Sequence, residues 1–152
     1  MQPPVALRRL FYRFAYQGLR LWWLVFHPEI RGVKCVLTQA DRVLLVRHTY
    51  GPRGWDLPGG TARAQEDPAD TARREIYEEL GVLIEEWNDL GEIDNRMGGR
   101  RDKMHCFQAE VHDPLTIDLG ELDAAQWFPP GQLPGNLNHY VRQILARAQA
   151  VA

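Results

Sequence analysis

The stretch of residues 60–82 constrains this chain more than any other segment, because three of its carboxylates must share one side of a helix. Glu75, Glu78 and Glu79 stand at positions i, i+3 and i+4, and residues with that spacing lie on the same helical face. Three like charges on one face repel each other, and a bound divalent cation removes the repulsion. Mg²⁺ is typically held by a few carboxylates together with substrate phosphates. The face therefore predicts a metal site for a phosphate-bearing substrate.

The limits of this helix are marked by the residues at its two ends. Asp67 is a typical N-cap and Pro68 suits the first helical position, while Gly81 suits the C-terminal end. An apolar stripe follows the spacing i, i+4, i+8, formed by Ala72, Ile76 and Leu80. The sequence therefore predicts a helix that packs through its stripe and offers its carboxylates on the other face.

The same stretch resembles the Nudix box, whose fixed positions are a glycine, a glutamate six residues on and then Arg-Glu-aliphatic-any-Glu-Glu-any-Gly-aliphatic. Every fixed position is matched, by Gly60, Glu66, Arg74, Glu75, Ile76, Glu78, Glu79, Gly81 and Val82. Fixed spacing over so many positions makes the match specific. The resemblance extends over about residues 32–134 and implies an α+β fold, with a mixed β-sheet sandwiched between helices. It also implies a hydrolase that cuts a nucleoside diphosphate linked to another group, using Mg²⁺ or Mn²⁺.

The resemblance gives the acidic residues of the box a role at the metal. Glu75, Glu78 and Glu79 would be metal ligands, with Glu78 and Glu79 the leading ones, and the backbone carbonyl of Gly59 would also face the ion. A bound divalent metal would neutralise phosphate oxygens and lower the pKa of the attacking water. The box therefore predicts both the cofactor and part of the catalytic apparatus.

Other box residues would support these ligands. In the family, the arginine at the position of Arg74 orients the carboxylates through charge-assisted hydrogen bonds. Glu66 would have a supporting role of the same kind and would not bind the metal itself. Gly60 lets the backbone approach closely at the strand-to-helix turn, and Gly81 ends the helix. An ordinary solvated charged helix is the alternative interpretation, but it leaves the glycine entry, Glu66 and Gly81 unexplained together.

A general base is still required, and Glu121 is the residue that the resemblance suggests. In part of the family the base is a glutamate that stands shortly before a Trp-Phe strand end, and here Trp127 and Phe128 follow Glu121. Asp123 is its acidic neighbour. The alternatives are that Glu121 is a solvent-facing turn carboxylate and that a glutamate of the box acts as the base.

The substrate is less clearly marked than the chemistry. Tyr50, Trp55 and Trp127 could stack on a base or another flat group, and Arg53, Arg96, Arg100 and Arg101 could meet phosphates. Packing in the core and a solvated basic turn are the corresponding structural alternatives. The chain lacks the additional signatures that ADP-ribose, dinucleoside-polyphosphate, coenzyme A and NADH hydrolases carry after the box. That leaves nucleoside triphosphates, including oxidised ones, and other nucleotide derivatives.

Composition fits one domain and sets limits on partners. The chain has 152 residues, a formal net charge of −2 and two cysteines, Cys35 and Cys106. The length is that of an ordinary single domain, and buried free thiols in a reducing cytoplasm are the expected state of the cysteines. The net charge gives little support to a polymeric nucleic-acid substrate such as an RNA end. A cytoplasmic protein that acts on a small nucleotide is therefore predicted.

The N-terminal segment differs from the rest of the chain. Residues 5–26 are rich in aromatic residues and carry four arginines, and the segment reads as an amphipathic helix that ends before Pro28. We therefore divide the chain into a helical extension over residues 1–28 and a Nudix domain over residues 29–152. The apolar run is too short for a membrane span. The helix could cap the sheet, form a homodimer interface or lie on an anionic membrane surface, and the first two are favoured.

The remaining elements follow from apolar alternation and turn residues. Strands are predicted at residues 33–37, 43–47, 55–57, 90–95, 103–112 and 122–128, with turns at 39–41, 58–60 and 96–101 and a C-terminal helix at 136–150.

Three functions remain to be separated. The first is a metal-dependent pyrophosphohydrolase that releases a nucleoside monophosphate, the second is a nucleotide-sensing Nudix fold that does not cut its ligand, and the third is an RNA-end hydrolase. The complete carboxylate set favours catalysis, since a sensor has no need for Glu75, Glu78 and Glu79 together.

Overall fold

The part of the chain that the structure describes forms three α-helices and six strands, in an order that follows the predicted one closely. The computed structural model describes residues 3–97 and 99–151. Its helices are α1 (Val5–Phe26), α2 (Pro68–Leu80) and α3 (Val141–Val151), and its strands are β1 (Glu29–Gln39), β2 (Arg42–His48), β3 (Gly59–Thr61), β4 (Asn88–Met97), β5 (Arg100–Glu110) and β6 (Leu122–Phe128). A short 3₁₀ helix at Pro130–Gln132 follows β6.

The strands form one mixed sheet, as predicted. Five strands lie in the order β4-β5-β1-β2-β6, and β3 pairs with β1 beside that path. The pairing of β1 with β5 is parallel, whereas β1 pairs antiparallel with both β2 and β3. The central strand β1 therefore holds both the box region and the β4–β5 hairpin in register.

Alternating residues of β1 divide the core between the two faces of the sheet. Val33, Cys35 and Leu37 pack in one apolar cluster with α2, and Val36 packs in a second cluster with α3. Helices on both faces confirm the predicted α/β/α sandwich. Cys106 lies in the second cluster and Cys35 in the first, and both are buried free thiols, as expected.

Helix α1 ends where the sequence predicts. His27 adopts a left-handed conformation, with φ of 47°, and its N–H donates to the carbonyl of Trp23, directly before Pro28. The N-terminal end has no side-chain cap. Of the helices in residues 3–97 and 99–151, none combines the length and apolarity that a bilayer crossing requires.

The predicted turn at residues 58–60 is wrong, because Gly59–Thr61 form strand β3. Gly60 lies opposite Val33 in the antiparallel pair with β1. The predicted strand at 55–57 is also absent as a regular element, since Trp55 and Asp56 make only isolated bridges, to Leu137 and Val46. Glycine and proline favour a turn locally, but the free edge of β1 offers the backbone hydrogen bonds that decide the outcome.

The C-terminal helix is shorter than predicted, because α3 begins at Val141 and not at residue 136. The backbone N–H of Trp55 donates to the carbonyl of Asn136 (2.8 Å), and the N–H of Asn138 donates to the carbonyl of Trp55 (2.9 Å). These contacts hold residues 136–138 extended. The predicted basic turn at 96–101 is tighter than expected, since Arg96 is still in β4 and β5 already begins at Arg100; Gly98 lies outside the described residues.

Candidate active site

The ends of α2 fix the positions of the box carboxylates. The side chain of Asp67 accepts a hydrogen bond from the N–H of Ala69 (2.9 Å), and Gly81 takes the left-handed conformation, with φ of 68°. Ile76 and Leu80 are fully buried against the sheet. Since both ends and the apolar stripe are anchored, the helix cannot rotate, and the direction of each glutamate is set.

Two glycines allow β3 to lie between β1 and α2. A Cβ at Gly59 would overlap the carbonyl of Val33, and a Cβ at Gly60 would overlap the carboxylate of Glu75. Gly59 also has φ of 150°, which side chains rarely tolerate. The Gly-Gly pair therefore brings bare backbone against the carboxylate of Glu75.

Arg74 is the centre of the acidic cluster, as the box predicts. Its Nε and Nη2 both lie 2.9 Å from the carboxylate of Glu66, and its Nη1 lies 2.8 Å from Glu75 Oε1 and 3.3 Å from Glu78 Oε2. Nη2 also donates to the carbonyl of Thr61 (3.0 Å). Arg74 and Glu75 are neighbours in the chain and do not share a helical face, but the long arginine side chain curls back to reach Glu75. One guanidinium therefore holds three carboxylates and the end of β3.

The charges in this cluster shift pKa values in opposite directions. Hydrogen bonds from Arg74 lower the pKa of Glu66 to about 2, and the pKa of Arg74 is raised above its usual range mainly by Glu66. Burial raises the pKa of Glu75 to about 7, with Glu79 and Glu78 adding to the rise while Arg74 opposes it. The site therefore favours additional positive charge close to Glu75.

Glu79 lies on the inner side of α2, where the sequence alone predicts a carboxylate that faces away from the packed side. Only 2% of the residue is exposed. Its Oε2 accepts from the N–H of Gly59 (3.2 Å), and its Oε1 lies 3.2 Å from His48 Nε2. Glu79 therefore links α2 to the start of β3 and the end of β2.

The predicted metal ligands have the chemistry for a hard cation, although each has a protein partner in this structure. Within residues 3–97 and 99–151, no three acidic, histidine or cysteine side chains are gathered closely enough to hold a metal ion. Glu78 is 49% exposed and lies near Arg74 and Arg63, so a rotation about its side-chain bonds would redirect it. A divalent cation would relieve the crowding of Glu75, Glu78 and Glu79, and oxygen ligands are those that Mg²⁺ prefers. The donor set fits such an ion.

Glu121 lies between the box region and α1. The hydroxyl of Tyr12 donates to Glu121 Oε1 (2.9 Å), and the backbone carbonyl of Glu121 accepts from the N–H of Thr49 (2.9 Å). Burial raises the pKa of Glu121, the hydrogen bond from Tyr12 lowers it, and the charge of Glu79 raises it. The Glu121 carboxylate is thus hydrogen-bonded to α1, and its pKa depends on the charge of Glu79 in the box.

A cleft of about 280 Å³ opens beside β3, between α1 and the sheet. Gly59, Gly60 and His48 connect it to the acidic cluster. One wall comes from α1, the floor comes from β1 and the loop before α3, and the far side comes from β5; the main contributors are Tyr16, Trp23, Lys34, Tyr140, Arg100 and Asp102. A long substrate in this cleft would therefore have one end at the box glutamates.

The floor of the cleft carries a buried ion pair. Lys34 Nζ lies 2.7 Å from Asp56 Oδ2, which also accepts from the hydroxyl of Tyr140 (2.5 Å) and from Asn138 Nδ2 (3.0 Å). Burial lowers the pKa of Lys34, but the charge and hydrogen bond of Asp56, together with Tyr140 and Glu79, outweigh it and the net pKa is above the usual range. Burial raises the pKa of Asp56, but Lys34 brings it below the ordinary value. Both groups therefore stay charged under the cleft.

The far side of the cleft combines an aromatic ring with a cation. The guanidinium of Arg100 lies 4.1 Å from the ring centroid of Trp23, and its Nε lies 2.8 Å from Asp102 Oδ1. The same nitrogen donates to Asp102 Oδ2 (3.0 Å), and Oδ1 has no hydrogen-bond partner within the described chain. Burial raises the pKa of Asp102. This wall offers a stacking surface and an acceptor.

Of the predicted substrate-binding residues, Tyr50 and Arg100 line this cleft, whereas Arg53, Trp55, Arg96 and Trp127 lie outside its lining. Trp55 packs edge to face on Phe128, with ring centroids 5.1 Å apart, and Trp127 packs against the first core cluster. Arg53 and Arg96 are exposed. Thus the structure gathers the box residues together but not these four, and for both tryptophans the packing alternative describes the position.

The cleft residues that sequence reasoning missed carry weak signals. Lys34 interrupts the apolar run of β1, and Asp56 stands between Trp55 and Leu57; a charged residue inside an apolar run is a sign of a buried partner. Tyr16 and Trp23 are seven residues apart on one face of α1. The residues that these side chains contact are remote in sequence, so the sequence alone does not show which residues pair.

Comparison with known proteins identifies the family. Residues 28–148 match the family model described as the NUDIX domain, and this segment spans the sheet, α2 and nearly all of α3. The chain therefore belongs to the Nudix family. The matched segment begins after α1, which agrees with the limited extent of the sequence resemblance.

Curated relatives of different activity share part of this chain. It is 41% identical over 95 residues to diphosphoinositol polyphosphate phosphohydrolase 2 of Rattus norvegicus, which covers 59% of this chain and 51% of the relative. It is 39% identical over 94 residues to the ADP-ribose pyrophosphatase of Mycobacterium tuberculosis, covering 55% and 42%. The matched part of the chain thus spans about half the length of the first of these two relatives and less than half of the second.

A solved structure supports the fold. The MutT NUDIX hydrolase from Burkholderia pseudomallei superposes with a TM-score of 0.72 at 26% identity, over 78% of this chain and 97% of the other. Nearly the whole of that protein corresponds to the part of this chain that carries the sheet and α2.

Proposed function

We propose that this protein is a Mg²⁺-dependent pyrophosphohydrolase that cuts a nucleoside diphosphate linked to another group and releases a nucleoside monophosphate. A nucleoside triphosphate, canonical or oxidised, is the simplest such substrate. One observation carries the proposal: Arg74 holds Glu66, Glu75 and Glu78 in a single network beside the buried Glu79. A Nudix domain that bound a nucleotide without cutting it would not need so many carboxylates held together.

The metal-binding part of the proposal uses the acidic face of α2. Glu75, Glu78 and Glu79 would hold Mg²⁺, with Mn²⁺ as a substitute, and the carbonyl of Gly59 would complete the protein ligands. When bound, the ion supplies charge to the diphosphate oxygens and acidifies the attacking water. Arg74 keeps the carboxylates oriented, since its bidentate contact with Glu66 leaves Nη1 directed at Glu75 and Glu78.

Glu121 is the proposed general base. Its carboxylate accepts a hydrogen bond from the hydroxyl of Tyr12 (2.9 Å), and its pKa responds to the charge of Glu79. A carboxylate whose pKa is raised by burial is a better proton acceptor near neutral pH than a fully solvated one. Tyr12 orients the group and limits the rise, so that the carboxylate stays ionised when the reaction needs it.

The cleft would hold the part of the substrate that does not react. Trp23 and Tyr16 supply aromatic surface, and Lys34 and Arg100, each paired with a carboxylate, supply N–H donors next to the glycine strand. A flat base and a chain of phosphates require these two kinds of contact. The cleft therefore takes the substrate-binding role that the sequence assigned to Arg53, Trp55, Arg96 and Trp127.

The test is a turnover screen on the full chain with Mg²⁺ and with Mn²⁺. It covers canonical and oxidised nucleoside triphosphates, nucleoside diphosphate sugars, ADP-ribose, dinucleoside polyphosphates and a diphosphoinositol polyphosphate. We expect one substrate class to dominate and the Glu79→Gln enzyme to lose at least ~100-fold in kcat, on the scale of removing a catalytic group. Glu86→Gln, an exposed glutamate beyond α2, is the matched control and should leave kcat unchanged.

The same screen contains the result that would overturn the proposal. Normal turnover in the Glu79→Gln and Glu78→Gln enzymes would exclude the assigned metal ligands. Tight binding of a nucleotide by calorimetry, with no product from any substrate, would instead favour a sensor.

A further inference from the structure

Helix α1 is attached to the domain through one face only. Arg8 pairs with Asp118 (2.7 Å), Tyr12 donates to Glu121, and the buried Trp23 stacks under Arg100. Residues 8, 12 and 23 are separated by four and eleven residues, which places them on one side of a helix with about 3.6 residues per turn. The face that touches the domain is therefore made of arginine, tyrosine and tryptophan.

The opposite face of α1 is apolar and exposed. Phe14 is 71% exposed, Leu21 68% and Val25 70%, and they fall half a turn away from Trp23. Leu7, Leu10, Phe11 and Trp22 extend the same surface, and Phe26 is exposed at the C-terminal end of the helix. Of the large apolar side chains that are exposed in the described chain, all but Tyr77, Leu83 and Leu119 lie on α1. Soluble proteins rarely leave so large an apolar patch uncovered.

Charge decides which surface covers this face. Helix α1 contains Arg8, Arg9, Arg13 and Arg20 and no acidic residue, whereas the whole chain has a formal net charge of −2, so the rest of the protein is acidic. Arg8 and Arg9 pair with Asp118 and Asp123 of the domain, whereas Arg13 and Arg20 have no acidic partner within the described chain. Two copies that paired through the apolar face would bring these uncompensated arginines together, whereas an anionic surface would complement them.

The aromatic and basic residues are placed as an interfacial helix requires. Trp22 and Phe26 contact each other in a tilted arrangement at the C-terminal end of α1, with ring centroids 5.2 Å apart. Arg13 and Arg20 are seven residues apart and line up along the flank between the two faces, where Arg13 donates one hydrogen bond to the carbonyl of Thr49 (3.3 Å). Long arginine side chains can reach lipid headgroups from such a flank while their neighbours stay in the apolar layer.

We propose that α1 docks this protein on an anionic lipid membrane, lying in the plane of the interface. The outward face, formed by Leu7, Leu10, Phe14, Leu21 and Val25, would sit among the acyl chains below the headgroups. The domain would remain attached to the opposite face of the helix, and the cleft would lie next to the membrane surface. This proposal does not depend on the proposed catalytic function.

Vesicle flotation of the full chain tests the proposal. We expect the protein to float with phosphatidylcholine vesicles that contain phosphatidylglycerol, to float much less with phosphatidylcholine alone, and to be released by high salt, which screens charge. Phe14→Glu with Leu21→Glu should weaken apparent binding by at least ~10-fold, because two charges replace inserted apolar side chains. Leu83→Glu is the matched control, since Leu83 is exposed to a similar degree (57%) but lies away from α1.

Each other outcome contradicts the proposal. Absence of binding to both kinds of vesicle, or equal loss in the Leu83→Glu control, would overturn it. A dimer seen by light scattering that disappears in the double variant, without vesicle binding, would make a second copy the occupant. If the double variant is misfolded by circular dichroism, Arg20→Gln replaces it: the exposed arginine should be dispensable for folding, and unchanged binding to anionic vesicles would overturn the charge argument.

Discussion

Helices α1 and α2 are both amphipathic, but they use their apolar faces in opposite ways. In α2 the stripe that contains Ile76 is fully buried, and the polar face is tied together by Arg74. In α1 the polar and aromatic face touches the domain, and Phe14 and Leu21 lie exposed. The comparison teaches that an amphipathic pattern predicts a helix but does not tell which surface the apolar face covers.

The two helices also differ in how their ends are capped. Asp67 caps α2 with its side chain and Gly81 closes it, whereas α1 has no side-chain cap at its N-terminal end. Helix α2 needs fixed ends because it must hold three carboxylates in defined directions. Helix α1 needs only to stay attached to the domain, and the contacts of Arg8, Tyr12 and Trp23 achieve this.

The largest expected effect is a difference in the free energy of unfolding between substitutions in the apolar face of α2 and in that of α1. Ile76→Ala should lower the free energy of unfolding by about 2–5 kcal/mol, because it leaves a cavity under α2. Leu21→Ala on the exposed face of α1 should change it by no more than about 0.5 kcal/mol. Urea titration followed by circular dichroism measures both values. Equal losses would mean that the exposed face of α1 is covered in solution.

The next effect concerns the glycine beneath Glu75. Gly60→Ala introduces a Cβ into the space of the Glu75 carboxylate, and the flexible side chain will move before the strand does. We expect kcat to fall by about 10–100-fold, as for other small displacements of a catalytic group, while the melting temperature changes little. Gly131→Ala is the control, because a Cβ there meets nothing within 4 Å. An unaffected kcat would separate Glu75 from the chemistry.

A smaller effect tests whether α1 tunes the proposed base. Tyr12→Phe removes the hydrogen bond to Glu121, which lowers the pKa of that carboxyl. Without it the pKa rises, so the acidic limb of the kcat/KM profile should move to higher pH. Tyr16→Phe makes the same change on the same helix, at a hydroxyl without a hydrogen bond in the described chain, and should leave the profile in place. A shift in both variants would point to a general effect of α1.

The smallest effect is on acid stability. The pKa of Glu66 is lowered to about 2 from an ordinary value of 4.5 by Arg74, so its contribution is fully present above pH 4.5 and is lost as the pH falls to about 2. Glu66→Gln should therefore lower the melting temperature at pH 7, and the gap to the parent protein should close between pH 4.5 and pH 2. With Glu86→Gln as the reference, a gap that is constant with pH would exclude the ion pair as its cause.

Much of the box was predictable because its signals are local. Capping by Asp67, closure by Gly81 and the spacing of Ile76 and the glutamates act within a few residues, so the limits of α2 and its acidic face follow from the motif. The burial of Glu79 did not, since it depends on the N–H of Gly59 and on His48, which approach from other strands.

The sequence by itself determined the family, the positions of the helices and most strands, and the acidic face, because these depend on spacing and on residue type along one segment. Only the tertiary structure decided that Gly59–Thr61 form a strand, that residues 136–138 stay extended, and that Lys34, Asp56 and Tyr140 meet under a cleft walled by α1. Each of these depends on a backbone or side-chain partner more than twenty residues away along the chain. Which partner satisfies a buried polar group is settled only when the strands are placed side by side.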